Sequence, residues 1–321
     1  MNNQPEELDI FKSDLRPMQY WHTKADAKVT TWESGIEEGY STGFSGIDKL
    51  VRLVDSDLLV IAARPSQGKT ALGMQMVEHM ARSIQNNGEN GVVAVFSAEM
   101  SGWSLYLRMA SAMCGVNTYN LSINKGKPGD FAKMRDSMQA LRELPIWIDD
   151  NTSPSTAQML EQLSRLNDEI PVRAMMFDFM ELGAREGRDS NEEQRISTIT
   201  KNLKAIAKTL DIPVIALSQL NRDVENRANK MPMLSDLRYS GMIEQLADKV
   251  LFLMRPGYYT ERKMTIDCPI EDAGEISPGV GVAYVQVAKH RNGPVGLAKL
   301  AFVNEAAKFV NFDFVHKNLN E

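Results

Sequence analysis

Through the first two-thirds of the chain, short apolar runs alternate with amphipathic stretches. Residues 58–63, 92–97, 145–149, 173–178 and 213–218 are compact runs rich in Val, Ile, Leu, Met and Ala, bounded by polar, Gly or Pro residues. Runs of this length read as buried strands. Between them, Leu72, Met76 and Met80 recur at i, i+4 spacing, and Ile196, Ile199, Leu203, Ile206 and Leu210 line one face of a predicted helix over 192–210. Further helices are predicted over 101–114, around 131–141, and from a Ser-Pro-Ser-Thr cap at 153–156 through Leu166. Strand–helix alternation implies βαβ units and a parallel sheet covered on both faces. The tail departs from this pattern. Residues 250–254, 282–288, 297–302 and 308–312 read as strands joined without helices, and 256–280, with Pro and Gly among acids, as an excursion. The expected class is α/β, with a mainly parallel central sheet and a β-rich C-terminal extension.

Residues 1–40 are different again, a polar arm carrying Trp21 and Trp32. Two tryptophans in such a setting read as anchors, either on the chain's own domain or on a neighbouring subunit. The turn at 42–48 marks the start of the globular domain, so the expected organisation is an arm over 1–40 and one domain over 41–321.

Composition narrows the picture modestly. The 321 residues are 43% hydrophobic and 24% charged, ordinary for a globular chain with a sizeable core. No apolar run approaches the roughly 18 residues of a membrane span, and the acidic, polar start is unlike a secretory signal. Two cysteines, Cys114 and Cys268, offer neither a disulfide framework nor metal-ligand spacing. A cytoplasmic protein is expected. The net charge of −6 argues against a broadly basic nucleic-acid-coating surface, without bearing on a few cations in a narrow channel.

The chemistry starts after the first strand, where Arg64-Pro65-Ser66-Gln67-Gly68-Lys69-Thr70-Ala71 leads into a helix. Strand, loop ending in Gly-Lys-Thr, helix is the context of a phosphate-binding P-loop. Backbone N–H groups and the helix dipole favour a phosphate there. Gly68 permits close approach, Lys69 would reach the β- and γ-phosphates, and the Thr70 hydroxyl would ligate Mg²⁺. Ala63 stands where the motif usually opens with Gly.

Ligands of open parallel sheets bind beyond the carboxyl ends of the strands, so the polar residues ending each strand matter most. Asp178 is suited to hold Mg²⁺ directly or through water. Glu99 reads either as the base that polarises the attacking water or as a helix N-terminal acid. Gln219 is an uncharged group able to sense the γ-phosphate. Two loops suit contacts outside the chain: Asp236-Leu237-Arg238-Tyr239-Ser240-Gly241, with nucleic-acid-binding composition, and Lys289-His290-Arg291-Asn292-Gly293-Pro294, whose Arg291 could reach a neighbour's nucleotide. Both are equally read as solvated surface.

Taken in order, Thr42-Gly43, the 62–70 loop, Phe96-Ser97-Ala98-Glu99-Met100, Met176-Phe177-Asp178-Phe179, the blocks at 216–222 and 235–245, and Lys289 to Gly296 resemble the motor domain of the DnaB-type replicative helicases. The resemblance spans about residues 42–312, and this family tolerates Ala at position 63. It implies a RecA-like P-loop NTPase core and a homo-hexameric ring. It implies ATP and Mg²⁺ as cofactors, 5′ to 3′ movement on single-stranded DNA in a central pore, and a helicase loader and primase as candidate partners. Residue by residue, it implies that Lys69 and Thr70 bind phosphate and metal, Glu99 is the base and Asp178 the metal-side acid. Gln219 would couple nucleotide state to DNA, and Arg291 with Lys289 would reach the next subunit's nucleotide. Arg238, Tyr239, Ser240 and Gly241 would form the DNA-gripping loop. Two departures stand out: Tyr239 replaces the usual Glu, and Phe179-Met180-Glu181 replaces Tyr-Leu-Gln. A short arm in place of the family's collar domain suggests a phage or mobile-element member or a truncated chain, with the arm as a latch on the next subunit. The rival expectations are a RecA- or RadA-like DNA-binding ATPase that does not unwind, and a non-motor docking module.

Overall fold

The computed structural model describes residues 15–185, 191–237, 240–262, 264 and 275–313. It divides between Gly39 and Tyr40 into two compact units. In the first, α1 (Met18–Glu33) follows Pro17 and has no buried residue. Met18, Trp21, Val29 and Trp32 are all exposed on it, and the spacing of 18, 21 and 32 sets them along one side of the helix.

The second unit opens with a short helix, α2 (Ser45–Asp48). The Asp48 carboxylate accepts from the Thr42 amide and hydroxyl, each at 2.7 Å, and fixes the entering turn. Then β1 (Leu58–Ala63), α3 (Lys69–Asn86), β2 (Val92–Ser97), α4 (Gly102–Cys114), α5 (Thr118–Ser122), α6 (Asp130–Arg142), β3 (Ile146–Asp149), α7 (Thr156–Glu169), β4 (Val172–Asp178), α8 (Glu192–Leu210) and β5 (Val214–Gln219) build the alternating part. After it come α9 (Ser240–Leu246), β6 (Lys249–Met254), α10 (Pro256–Glu261), β7 (Glu275–Ser277), β8 (Val280–His290), β9 (Gly296–Val303) and β10 (Lys308–Asn311).

All ten strands join one sheet in the order β10-β9-β8-β6-β1-β5-β4-β2-β3, with β7 beside β8. From β3 to β6 every pairing is parallel; β7 to β10 add antiparallel strands. Each central strand is buried on both sides because its side chains alternate between two cores. Leu59, Ile61 and Ala63 face α3, where Leu72, Met76 and Met80 pack. Leu58, Val60 and Ala62 face the opposite layer with Met159 of α7 and Ile196, Ile199 and Leu203 of α8. Each such Leu, Ile, Val or Met side chain contributes about 1.5–3 kcal/mol by burial, so interior strands tolerate continuous apolar sequence.

The tail corrects two expectations. A helix, α10, follows β6 inside the region expected to be an irregular excursion. Its Pro256 sits in the first turn, and Tyr258 and Tyr259 pack with Met254, Val282 and Tyr284 into a third small core. The second correction concerns 236–241. Ser240 and Gly241 open α9 instead of ending a loop, because Ile243 and the following Ala247 are fully buried. Arg238 and Tyr239 lie outside the described residues.

Candidate functional site

The carboxyl ends of β1, β5, β4 and β2 lie side by side. Register pairs Ala63 with Gln219, and Ser97 with Asp178. A cavity of about 690 Å³ opens there, lined among others by Ser66, Lys69, Thr70, Glu99, Gln219 and Arg255.

The loop after β1 is shaped by backbone conformation. Ser66 and Gly68 have φ of 65° and 98°, and a side chain on Gly68 would meet the Phe309 ring at 2.9 Å. Glycine therefore answers both the left-handed φ and the close approach of β10. Lys69 and Thr70 open α3, with Leu72 N donating to Gly68 O at 2.9 Å. An 18-residue helix thus presents its positive end to the cavity.

Asp178 is fully buried. Its Oδ2 accepts from the Thr70 hydroxyl at 2.7 Å, and its Oδ1 has no hydrogen-bond partner. Lys69 Nζ lies 3.8 Å from that oxygen and 4.1 Å from the centre of the Phe179 ring. Glu99 is exposed at the cavity wall. Gln219 lines the cavity, and its backbone N–H donates to Glu181 Oε1 at 2.8 Å, an oxygen that also accepts from the Ser218 hydroxyl at 2.7 Å.

Two loop side chains point elsewhere. Arg64 is buried, donating to Glu225 at 2.8 Å and to Leu220 O at 2.9 Å. Gln67 Oε1 accepts from the Arg255 amide at 2.7 Å. Whatever these two offer a phosphate therefore comes from the backbone. Pro65 lacks an N–H and supplies shape only.

Lys289 and Arg291 are not brought to this cavity. Antiparallel pairing sets Lys289 and His290 opposite Val250 and Lys249 at the start of β6, the sheet edge away from the loop. Arg291 Nη1 donates to Asp248 at 3.0 Å, and Lys289 Nζ to Ala247 O at 2.6 Å. Burial, and then the Arg291 charge, lower the Lys289 pKa from its ordinary value. The loop leading to α9 is anchored at its base. Asp236 accepts from both terminal guanidinium nitrogens of Arg227 at 2.6 Å, and Leu237 bridges Leu220 just past β5.

A model of the DnaB-like helicase C-terminal domain matches residues 39–311. The chain belongs to this family. It is 39% identical over 277 residues to the replicative DNA helicase DnaB of Geobacillus stearothermophilus, covering 86% of this chain and 57% of that protein. It is 38% identical over 280 residues to the replicative DNA helicase DnaC of Bacillus subtilis (strain 168), again covering 86% and 57%. The chain thus spans a little over half the length of these curated relatives. Among solved structures, one of an ATPase domain superposes with a TM-score of 0.79 at 30% identity, covering 93% of this chain and all of that one. A DnaB-like replicative helicase, solved in a study of its interactions with primase, gives 0.76 at 30% identity, covering 94% and 68%. The α/β fold with its RecA-like core and antiparallel C-terminal strands is that of a DnaB-like P-loop NTPase.

Sequence reasoning missed part of this DnaB-like site. Arg255, just past β6, lays its guanidinium 3.5 Å from the centre of the Phe302 ring and donates to Asn304 at 2.9 Å and Ser66 O at 3.3 Å. Burial lowers its pKa to about 10. Phe302 packs at a tilt against Phe309, ring centres 4.7 Å apart, so β9 and β10 brace the phosphate loop from outside. The signal was available: Arg255 is the polar residue ending β6. Among the described residues no helix is long and apolar enough to cross a membrane.

Proposed function

We propose that this chain is the motor of a ring-forming replicative helicase: it hydrolyses ATP with Mg²⁺, moves 5′ to 3′ on single-stranded DNA held in a central pore, and separates duplex DNA. The observation that carries this is the grouping of Lys69, Thr70, Asp178, Glu99 and Gln219 at one sheet edge, while Lys289 and Arg291 stand at the other. Mg²⁺ fits the donors available. Thr70 and Asp178 offer oxygen only, and Asp178 Oδ1 is buried without a hydrogen bond. No cluster of three acids, His or Cys is found among the described residues, in keeping with a cation that takes most ligands from water and substrate phosphates. When bound, it neutralises charge on the β- and γ-phosphate oxygens.

The chain's own groups divide the remaining work. Amides from Ser66 to Ala71 cradle the phosphates, and Lys69 neutralises the oxygens between β and γ. Glu99 takes the proton of the attacking water. Gln219, held by Glu181, reads the γ-phosphate. Arg291, with Lys289, completes the site on a neighbouring copy, and the unit of function is a homo-hexameric ring. Arg238, Tyr239, Ser240 and Gly241 grip the DNA backbone. The apolar side of α1 docks on an adjacent copy, and a loader and a primase are candidate partners.

Strand displacement on forked DNA with ATP and Mg²⁺, beside Lys69→Ala, tests the proposal. Displacement by the wild type alone supports it. Turnover stimulated by single-stranded DNA with no displacement, loader present, favours the recombinase-like reading. Inactivity in both assays favours a docking module.

A further inference from the structure

Asp248 precedes β6 and is 4% exposed, yet all its oxygens are engaged. Oδ2 accepts from Leu58 N at 2.8 Å and from Lys204 Nζ of α8 at 2.5 Å. Oδ1 accepts from Arg291 Nη1 at 3.0 Å, and the Asp248 carbonyl accepts from the Arg291 amide at 2.8 Å. A buried acid seldom takes two cations without consequence, since removing one partner leaves charge stranded in a poor solvent. Here the second cation reaches the carboxylate through one nitrogen only, with the Arg291 side chain still 49% exposed.

The other end of that guanidinium rests on α9. Arg291 Nη2 donates to Gln245 O at 3.2 Å. Lys289 Nζ donates to the carbonyls of Glu244, Gln245 and Ala247, at the C-terminal end of the helix. Cations suit a helix C-terminus, where carbonyls lack partners and the dipole is negative. The helix is only seven residues long, about 10 Å at 1.5 Å per residue. Its first two residues, Ser240 and Gly241, are among those proposed above to contact DNA, so the carbonyls that both cations hold belong to the same short helix as those contacts.

We propose that Asp248 is the positioning residue that aims Arg291, and that α9, gripped at its C-terminal end by Lys289 and Arg291, ties this aim to Ser240 and Gly241 at its start. The inference rests on the reading that Arg291 serves a neighbouring copy's nucleotide. It goes beyond that reading by naming what holds the guanidinium ready and what moves it.

A double-mutant cycle in the full chain decides the matter, with kcat and KM for ATP measured with and without an oligo-dT strand, alongside nucleotide binding and thermal melting. Arg291→Ala should lower kcat by about 10³-fold, the scale of a missing arginine finger. Asp248→Asn should lower kcat roughly tenfold or more with KM little changed, and Asp248→Asn/Arg291→Ala should be no slower than Arg291→Ala alone. Additive losses, or normal kcat in Asp248→Asn, overturn the proposal. Normal kcat in Arg291→Ala would instead refute the trans reading, and the proposal with it. If Asp248→Asn does not fold, Lys289→Met serves from the α9 side. Its ratio of DNA-stimulated to unstimulated turnover should fall towards one, and an unchanged ratio overturns the proposal.

Discussion

Replacing Thr70 by Val keeps the shape of the side chain and deletes one hydroxyl. In the ligand-free protein that hydroxyl is the hydrogen-bond donor to Asp178 Oδ2, at 2.7 Å, and the other carboxylate oxygen already lacks one. Asp178 is 0% exposed, so water does not replace the lost donor. Leaving a buried acceptor unsatisfied costs about 1–3 kcal/mol, towards the upper end for a charged group. In a chain of this size that corresponds to a fall in Tm of roughly 1.5–2 °C per kcal/mol. Urea unfolding of Thr70→Val without nucleotide should therefore show a lower midpoint at unchanged slope, while Thr70→Ser unfolds like the wild type.

The same hydroxyl is proposed to meet Mg²⁺, which gives the experiment a second, independent reading. A ligand that binds only the folded state adds about 2.7 kcal/mol at a hundredfold excess over its Kd. Wild type and Thr70→Ser should gain melting temperature from ATP plus Mg²⁺, and Thr70→Val should gain far less and turn over slowly. Unfolding of Thr70→Val at the wild-type midpoint would refute the energetic account of Asp178. Full turnover by that variant would refute the metal role of Thr70.

Glu181→Ala removes the acceptor of both the Ser218 hydroxyl and the Gln219 backbone N–H. It should lower kcat roughly tenfold, about 1.4 kcal/mol, with nucleotide affinity unchanged; Glu181→Gln, which keeps an acceptor oxygen, should recover most of it, and equal loss in both variants would refute the positioning argument. Burial, and after it the Lys249 charge, hold the His290 pKa below its ordinary 6.5. The unfolded chain then binds the proton better, so the stabilisation is complete above pH 6.5 and is lost as pH falls through the lowered folded value. Urea midpoints at about pH 5 and pH 7.5 should differ less in His290→Gln than in the wild type, and an equal difference would exclude this source. Mixing inactive Glu99→Gln with inactive Arg291→Ala should restore part of the ATP turnover, because some interfaces then pair an intact Glu99 with an intact Arg291. Mixtures as inactive as their components would count against a shared site.

Much of the frame was legible because burial on two faces leaves a plain trace. The runs that became β1 and β2 are continuous apolar stretches ended by Arg64 and by Ala98-Glu99. The helix over 192–210 was readable to the residue, since Glu192 and Asp211 bracket its apolar stripe. Lys69, Thr70, Glu99 and Gln219 could be gathered from one rule about strand ends. Long-range partners left no such trace. Nothing local says that Arg64 turns to Glu225 instead of a phosphate, or that Gln67 bonds the Arg255 amide from 188 residues away. The helix α10 was missed for the same reason: six residues carry too little periodicity, and Tyr258 and Tyr259 make it a helix by packing on β8.

Geometry also says why the residues fall into two groups. The phosphate loop leaves β1 at Ala63, while Arg291 follows β8, whose last residues pair with the first of β6. A six-residue strand at about 3.3 Å per residue separates the two edges by roughly 20 Å. No side-chain rotation spans that distance, and the sheet between them is a packed core that does not flex by such an amount. Lys289 and Arg291 therefore cannot serve their own chain's cavity. Asp248 and the end of α9 hold them nonetheless in one orientation, with Arg291 half open to solvent. A cation pair held at the edge opposite the acids and the lysine is what the proposed role of Arg291 toward a neighbouring copy requires. Under the function proposed above, the other half of the site comes from a second copy.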